Sequence, residues 1–332
     1  MILQYHHISD ETPGITSVTP QQFQDHLDYL LTHDHVVLPL TEVVEHLQDG
    51  RELPDKCVAL TIDDAYVSAY TEAFPRTRRY GYPLTVFVST EAVDRGYSSH
   101  VSWDQVREMQ AAGIRFENHS HTHDHLIRQA DDESAEDWAQ RVATDILTAQ
   151  NRIQEELGTR PTLFAYPYGE YNDELRSIVE SMGFVAFGQQ SGPAWHAADL
   201  RALPRFPMAS FYAGMRTFPN KVNSLPLPIT GAFPTDPVVP LDEWQPALTL
   251  VFAPEVPNRE DLTCFFNGSP EVSYEWLDQP SGGVVIQAKG RLNVGRNRTN
   301  CTLPVGDTGR FGWYSHNWIR READGSWYRE SR

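Results

Sequence analysis

The chain has 332 residues, and its 45 Asp and Glu residues against 27 Lys and Arg give a formal net charge of −18 at pH 7. This length is sufficient for two domains, and the acidic balance argues against a nucleic-acid partner, because phosphate backbones are bound by Lys and Arg. No apolar run in the sequence approaches the length of a membrane-spanning helix. A neutral glycan, or one carrying free amines, is compatible with this charge.

Short apolar strands alternate with amphipathic helices through the first 220 residues. Helices are predicted at residues 20–33, 103–109 and 139–157, the last with Gly158 as its C-cap, and strands at 57–62, 84–88 and 113–117. A shorter strand at the start of the chain ends in two histidines, His6 and His7. This alternation is typical of a parallel β/α barrel.

Two adjacent aspartates, Asp63 and Asp64, follow the strand at residues 57–62, which is almost continuously apolar. Such strands are buried on both faces in parallel sheets, and α/β folds place their chemistry at the carboxyl ends of the strands. At this position both carboxylates can reach one open site. The alternative is a turn in which the aspartates cap the next helix.

A histidine-rich segment at residues 118–125 follows the strand at 113–117. His119 and His123 are spaced i, i+4, as are His121 and His125, and either pair could bring two imidazoles together. With an aspartate oxygen, two imidazole nitrogens make a catalytic metal site with open positions, most often for zinc. The alternative is a hydrogen-bonded or surface histidine cluster.

A third segment, residues 164–172, indicates a strand that ends in a sharp turn broken by Pro167 and Gly169. Tyr166 and Tyr168 flank this turn, and tyrosines at such a rim are suited to stacking on sugars and bonding their hydroxyls. We therefore expect Tyr166, Pro167, Tyr168 and Gly169 to bind substrate. A purely structural turn is the alternative.

In order and spacing, these three segments resemble the first three motifs of the polysaccharide deacetylases, the NodB-homology domain of carbohydrate esterase family 4. The resemblance covers residues 1–222 and implies a distorted (β/α) barrel. It implies that Asp64, His119 and His123 hold a divalent metal, with zinc first and nickel, cobalt or iron as alternatives, and that Asp63 is the catalytic base. It also implies that the backbone N–H of Tyr168 helps to hold the tetrahedral oxyanion.

The sequence departs from the family pattern at the third motif. Family members usually carry an arginine there that is oriented toward the base, whereas this chain has Ala165 and Tyr166. We expect Arg205, at the end of a late strand, to steady Asp63 instead. Asp199 and Arg201 are weaker candidates, and a surface position for Arg205 is the alternative.

The late histidine that serves the family as general acid is also missing from the end of the barrel domain. The opening segment, residues 2–8, resembles the start of the biofilm poly-N-acetylglucosamine deacetylases, in which the motif order is permuted and the first strand supplies this histidine. We therefore expect His6 to be the acid, in preference to His7. An ordinary hydrogen-bonded histidine is the alternative.

The resemblance implies metal-dependent hydrolysis of N-acetyl groups from a β-linked N-acetylglucosamine polysaccharide or oligosaccharide, with release of acetate. The partner is then a glycan, and the oligomeric state is not predicted. The missing arginine supports an alternative, a glycan-binding protein on a degenerate deacetylase scaffold. A further alternative is an O-deacetylase of xylan or peptidoglycan.

The amino-acid composition of the chain changes near residue 223. Residues 223–246 are rich in proline and predict a linker that packs along the barrel surface, and the short β-like runs in residues 247–332 predict a β-sandwich-like accessory domain with glycan binding as a candidate role. The order of Cys264, Trp276 and Cys301 suggests a pinned immunoglobulin-like core. Aromatic residues late in the chain suggest either a sugar-stacking surface or core packing: Trp313, Tyr314, Trp318, Trp327 and Tyr328.

A disulfide between Cys264 and Cys301 would favour a secreted, periplasmic or cell-envelope location. The chain as given carries no signal peptide, so we expect it to be a mature form. Reduced, buried thiols and a cytoplasmic location are the alternative.

Overall fold

A computed structural model describes residues 1–267, 271–277 and 282–330. The chain divides into two compact units. The first comprises Met1–Glu170, Glu174–Gln189 and Ala194–Val222, and the second comprises Tyr171–Asp173, Gln190–Pro193 and Asn223–Arg332. Among the described residues, no helix combines the length and the apolar character needed to cross a membrane.

The first unit contains short strands, named here in chain order: β1 (Ile2–Tyr5), β2 (His7–Ile8), β3 (Ser17–Val18), β4 (Val36–Val37), β5 (Cys57–Ile62), β6 (Thr85–Val88), β7 (Arg115–Asn118), β8 (Leu163–Ala165), β9 (Val185–Phe187) and β10 (Phe206–Pro207). The α-helices follow the same convention: α1 (Pro20–Thr32), α2 (Leu40–Gln48), α3 (Phe74–Tyr80), α4 (Thr90–Asp94), α5 (Trp103–Ala111), α6 (Ala135–Leu157), α7 (Asp173–Ser181) and α8 (Phe218–Val222). These elements alternate as the sequence predicts.

Eight of the described strands form one parallel sheet in the order β10-β1-β5-β6-β7-β8-β9, with β4 paired to β5. A further bridge joins Phe187, at the end of β9, to Leu203, which precedes β10, and brings the two edges of the sheet toward each other. The predicted distorted barrel is therefore confirmed. All six residues of β5 are buried, as expected for a strand covered on both faces.

Helix ends follow the local capping chemistry. The α6 helix begins at Ala135, four residues before the predicted start, because the Ser134 hydroxyl accepts a hydrogen bond from the Asp137 backbone N–H. It ends at Gly158, whose φ of 68° places it in the left-handed region that glycine favours. The first residues of α6 are mostly polar, so the spacing of apolar residues predicts a helix that starts too late.

The described strands of the second unit form two further sheets. One has the order β11 (Leu225–Pro226), β18 (Phe311–Arg320), β17 (Gly295–Pro304), β14 (Thr263–Phe266), and the other the order β12 (Ile229–Phe233), β13 (Ala247–Phe252), β16 (Gly283–Ala288), β15 (Val272–Trp276). All pairs are antiparallel except β11 with β18. Buried side chains from both sheets, among them Leu250, Ile286 and Trp318, form one core. This is the arrangement of a β-sandwich.

Two expectations for this part of the chain were wrong. Residues 223–246 are not a plain linker, because they supply β11 and β12 to the sheets of the second unit. The disulfide between Cys264 and Cys301 joins directly opposed residues of neighbouring strands in one sheet, and Trp276 is 38% exposed, so no immunoglobulin-like pin between sheets exists. Of the late aromatic residues, Trp318 and Tyr328 are buried in packing contacts.

Candidate active site

Asp63 lies at the carboxyl end of β5, fully buried, and is held by a bidentate ion pair with Arg205. Arg205 Nη1 donates to Asp63 Oδ1 and Nη2 donates to Oδ2, each at 2.7 Å. Gln4 Nε2 also donates to Oδ2, at 2.6 Å. Burial alone would raise the pKa of Asp63, but the Arg205 guanidinium outweighs burial and lowers it, so that the carboxylate is ionised at neutral pH.

Arg205 is itself enclosed by the barrel. It is 0% exposed, its Nε donates to the Gly188 carbonyl at 3.0 Å, and its guanidinium carbon lies 5.3 Å from the ring centre of Phe87. Arg205 therefore occupies the position expected for it, against Asp63. Asp199 and Arg201, the weaker candidates, instead pair with each other at 2.9 Å.

Asp64 faces two imidazoles of the histidine-rich segment. Its Oδ1 atom lies 3.1 Å from His119 Nε2 and 2.9 Å from His123 Nε2. The three candidate ligand atoms lie within 4.8 Å of one another. The chain turns sharply after β5, with φ of 68° at Asp64 and 59° at Ala65, and this turn aims the second carboxylate at the histidines.

The donor set fits a bound cation. His119 Nδ1 donates to the Ala165 carbonyl at 2.7 Å, which leaves the lone pair of Nε2 facing Asp64. Within the described part of the chain, His119 Nε2 and Asp64 Oδ1 are buried without a hydrogen-bond partner. Two acceptor atoms at 3.1 Å repel each other unless a positive charge lies between them. Two nitrogens and one carboxylate oxygen suit a catalytic divalent metal.

The histidine turn is fixed by bonds to its backbone. Ser120 has a φ of 65°, and its hydroxyl accepts from the His123 N–H at 3.0 Å. The Asp145 carboxylate of α6 accepts from the N–H groups of His121 and Thr122, at 3.0 and 3.1 Å. The outer histidines, His119 and His123, therefore face the same side of the turn, toward Asp64.

The other two histidines of the segment have different partners. His121 Nδ1 lies 2.8 Å from the Thr90 hydroxyl. His125 Nδ1 lies 2.7 Å from Glu170 Oε2, and its ring stacks on Tyr168 with centres 3.7 Å apart. The structure thus brings His119 and His123 to Asp64, and it does not bring His121 and His125 there.

His6 lies between β1 and β2, next to both aspartates. Burial lowers the pKa of His6, and the carboxylates of Asp64 and Asp63 oppose this shift. His7, by contrast, stacks on Tyr66, with ring centres 3.6 Å apart. Of the two histidines, His6 is the one on which the charges of both Asp63 and Arg205 act directly.

The third motif forms a tight turn after β8. Tyr168 is in the left-handed region with φ of 59°, and its ring centre lies 4.8 Å from that of His123. At Gly169, where φ is 67°, an added Cβ would lie 2.6 Å from the Cβ and Cγ atoms of Gln189, so only glycine fits. Tyr168 is half-buried, whereas Pro167 and Gly169 on either side of it are buried.

The expectation that Tyr166 and Pro167 contact substrate is not met. Tyr166 is 0% exposed and its hydroxyl donates to the Arg201 carbonyl at 2.8 Å, while Pro167 is also buried. Both side chains pack beneath the turn and support it. Gly169 is buried as well, which leaves Tyr168 as the residue able to face a glycan.

A family profile, that of the polysaccharide deacetylases, matches residues 50–187, the region that carries Asp63, Asp64, the candidate ligands His119 and His123, and the third motif. This part of the chain belongs to the polysaccharide deacetylase family. The poly-beta-1,6-N-acetyl-D-glucosamine N-deacetylase of Staphylococcus epidermidis is 29% identical over 195 residues, which are 57% of this chain and 67% of that protein. YxkH of Bacillus subtilis is 28% identical over 214 residues, 64% of this chain and 72% of YxkH.

Solved structures of deacetylases share the fold of the first unit. The Streptococcus pyogenes deacetylase PplD, in complex with acetate, is 26% identical and superposes with a TM-score of 0.57 over 63% of this chain and 92% of PplD. IcaB from Ammonifex degensii is 24% identical with a TM-score of 0.57, over 67% of this chain and 94% of IcaB, and this likeness concerns the fold alone.

The sequence pattern does not predict some polar partners of this candidate site. Gln4 could have been found, because it lies on β1 two residues before His6, and side chains two residues apart in an extended segment point to the same side. Asp145 could not, because nothing in the spacing of α6 shows that its carboxylate caps a turn 23 residues earlier.

Proposed function

We propose that this protein is a metal-dependent N-deacetylase of a β-linked N-acetylglucosamine polysaccharide or oligosaccharide. The observation that carries the proposal is the buried ion pair of Asp63 with Arg205, beside the three-residue set of Asp64, His119 and His123. An ionised base next to a metal-binding set is what amide hydrolysis requires. Membership of the deacetylase family supports the same reaction class.

The residues divide the chemistry between them. A divalent ion, when bound by Asp64, His119 and His123, lowers the pKa of a coordinated water and polarises a carbonyl. Asp63 takes the proton from the attacking water. The backbone N–H of Tyr168 donates to the developing oxyanion, and His6 gives a proton to the departing amine, which leaves poorly unless protonated.

The remaining details of the proposal rest on chemistry and on the names of relatives. Zinc is the metal that a site of two histidines and one carboxylate most often holds. The relative from Staphylococcus epidermidis is named for N-deacetylation of poly-beta-1,6-N-acetyl-D-glucosamine, which supports an N-acetylglucosamine substrate here. The disulfide in the second unit supports a secreted or envelope location.

Acetate release from a glycan panel tests this proposal. The panel contains chitooligosaccharides, β-1,6-linked N-acetylglucosamine oligomers, acetylated xylan and peptidoglycan, each with and without a chelator. We expect chelator-sensitive release from the N-acetylglucosamine oligomers, and no turnover by Asp63→Asn, which keeps the metal-binding residues. Asp28→Asn, on the exposed face of α1, is the matched control and should keep full activity.

The other outcomes of this experiment would identify a different function or change the role of Asp63. Glycan binding without acetate release from any substrate would identify a binding protein on a deacetylase scaffold. Release from acetylated xylan alone would identify an O-deacetylase. Normal activity of Asp63→Asn would remove Asp63 from its role as base.

A further inference from the structure

Four aromatic rings form a continuous row beside the proposed metal site, named here the ring row: His7, Tyr66, His100 and Tyr97. His7 stacks on Tyr66 with ring centres 3.6 Å apart and planes inclined by 22°. The Tyr66 and His100 centres are 4.7 Å apart, and those of His100 and Tyr97 are 6.4 Å apart.

The backbone anchors the ring row to the turn that carries the aspartates. Tyr66 and His100 form an antiparallel bridge, and the Val67 N–H donates to the Ser99 carbonyl at 2.9 Å. The Val101 N–H donates to the carbonyl of Ala65, the residue next to Asp64, at 3.0 Å. The segment at residues 97–101 is therefore held directly against the turn that presents Asp64.

The ring row is not part of the apolar core. Tyr97 is 47% exposed, and the other three rings are partly exposed. The row starts two residues after Asp64 and one residue after His6, and it reaches the surface at Tyr97. Because the Asp64 carboxylate acts directly on the Tyr66 hydroxyl, one end of the ring row lies against the proposed metal site, and the other end, Tyr97, lies in solvent.

The rings carry no positive charge at neutral pH. Burial lowers the pKa of His7 to about 4 and also lowers that of His100, against the opposing charge of Asp64. An uncharged aromatic surface with polar edges suits the C–H faces and hydroxyls of a pyranose ring. It also does not repel the free amines that deacetylation leaves on the chain.

We propose that the ring row is a glycan subsite that binds the sugar next to the one being deacetylated. The occupant is a pyranose ring of an N-acetylglucosamine chain, so this inference rests on the proposed function. The subsite adds affinity for oligomers and takes no part in proton transfer. Its loss therefore raises KM for long substrates more than it lowers kcat.

Tyr97→Ala and His100→Leu test the subsite, because they remove the outer half of the ring row and leave Asp64 and His6 in place. For chitohexaose and the β-1,6-linked hexamer, we expect KM to rise roughly fivefold in each variant, with a smaller effect on kcat and on the KM of the dimer. The matched control is Tyr82→Ala, because Tyr82 precedes β6 at the opposite end of the strands and stacks on Tyr80.

Binding measured in the Asp63→Asn background separates this inference from the proposed function. Calorimetry with the same hexamers should show a weaker Kd when Tyr97→Ala or His100→Leu is added. If wild type releases no acetate but the hexamers bind and the variants weaken binding, the deacetylase function fails and the subsite stands. If the variants bind and turn over hexamers as wild type does, or if neither hexamer binds, the subsite is overturned.

Discussion

Arg205 contacts Asp63 through both ends of its guanidinium, and the two residues are 142 positions apart in the chain. Asp63 Oδ2 accepts from Arg205 Nη2 and from Gln4, whereas Oδ1 accepts from Arg205 Nη1. Because each carboxylate oxygen has two lone-pair sites, Oδ1 retains one for the proton of an attacking water. In the proposed mechanism, the ion pair with Arg205 therefore keeps Asp63 ionised and leaves Oδ1 as the oxygen that takes the proton.

Replacement of Arg205 should abolish turnover and destabilise the fold. Arg205→Met leaves a buried carboxylate without its partner, which costs about 3–5 kcal/mol of unfolding free energy. Arg205→Lys should also lose most activity, because an ammonium cannot bond both oxygens in parallel. Denaturant unfolding and acetate release measure the two effects. The double variant Arg205→Met with Asp63→Asn should recover stability without activity; unchanged turnover in Arg205→Lys would contradict the role of the ion pair.

Loss of His6 should slow amide hydrolysis more than ester hydrolysis. An amine must be protonated to leave, whereas the phenolate of p-nitrophenyl acetate leaves unaided, so His6→Ala should lower kcat on N-acetyl substrates by about 100-fold and on the ester far less. His7→Ala should lower kcat on the amide less than His6→Ala does. Equal losses on both substrates would exclude His6 as the acid.

Zinc should stabilise the fold through His119 but not through His121. A ligand present at 100 times its Kd adds about 2.7 kcal/mol to the unfolding free energy, which is visible as a rise in Tm. His119→Ala should abolish the zinc-dependent rise, and His121→Ala, whose ring lies against Thr90, should keep it. A rise that depends on His121 would assign the metal to the other histidine pair.

The Gln4 amide should matter for the chemical step and not for metal binding. Its bond to ionised Asp63 is worth about 1.5–3 kcal/mol, so Gln4→Met should lower kcat by roughly tenfold or more while zinc affinity and KM stay near wild type. Gln110→Met, which removes a comparable amide bond to the Leu157 carbonyl at 3.0 Å, should leave kcat unchanged. Equal kcat in the two variants would make Gln4 a structural residue.

Stability should fall with acid in part through His26. Burial lowers the pKa of this histidine to about 4, and its ring lies between the Tyr5 hydroxyl and the Ala213 carbonyl. The unfolded chain, with a pKa near 6.5, binds the proton first. The stability that neutral His26 gives to the folded state is therefore fully present above pH 6.5. About 3 kcal/mol of unfolding free energy is lost as the pH falls from 6.5 toward 4.

Unfolding free energies of wild type and His26→Gln between pH 7.5 and 4.5 measure this effect. The variant should be less stable at neutral pH, and its stability should depend less on pH in that window. His33→Gln, at the exposed end of α1, should follow the wild-type curve. Parallel curves for wild type and His26→Gln would show that His26 does not titrate in this way.

The parts of the site that are local in sequence could be predicted. Asp64, His119 and His123 sit on strand-end turns whose residue types reveal both the turn and the ligand chemistry. The contact between Arg205 and Asp63 could be predicted only because the third motif lacks the arginine that family members usually carry. Which strands are neighbours depends on sheet order, and the sequence does not give that order. The sequence predicts that Tyr166 lies at the rim, because spacing does not distinguish the half-buried Tyr168 of this turn from the fully buried Tyr166.

The second unit shows the same limit more strongly. Strand positions followed from apolar runs and turn residues, but register and partners did not. Cys264 and Cys301 are opposed across one strand pair, a relation that the order of residues cannot specify. Trp276 lies on β15 of the other sheet and remains partly exposed.

Arg205 precedes β10, which is the edge strand that docks on β1, and β1 in turn pairs with β5 below Asp63. During synthesis Arg205, the counter-ion of Asp63, therefore emerges from the ribosome well after Asp64, His119 and His123. A barrel folded without this segment would bury Asp63 without its counter-ion, and a buried carboxylate that lacks a positive partner tends to take up a proton. In the proposed mechanism, activity therefore requires β10, the last strand of the parallel sheet in chain order, to be in place.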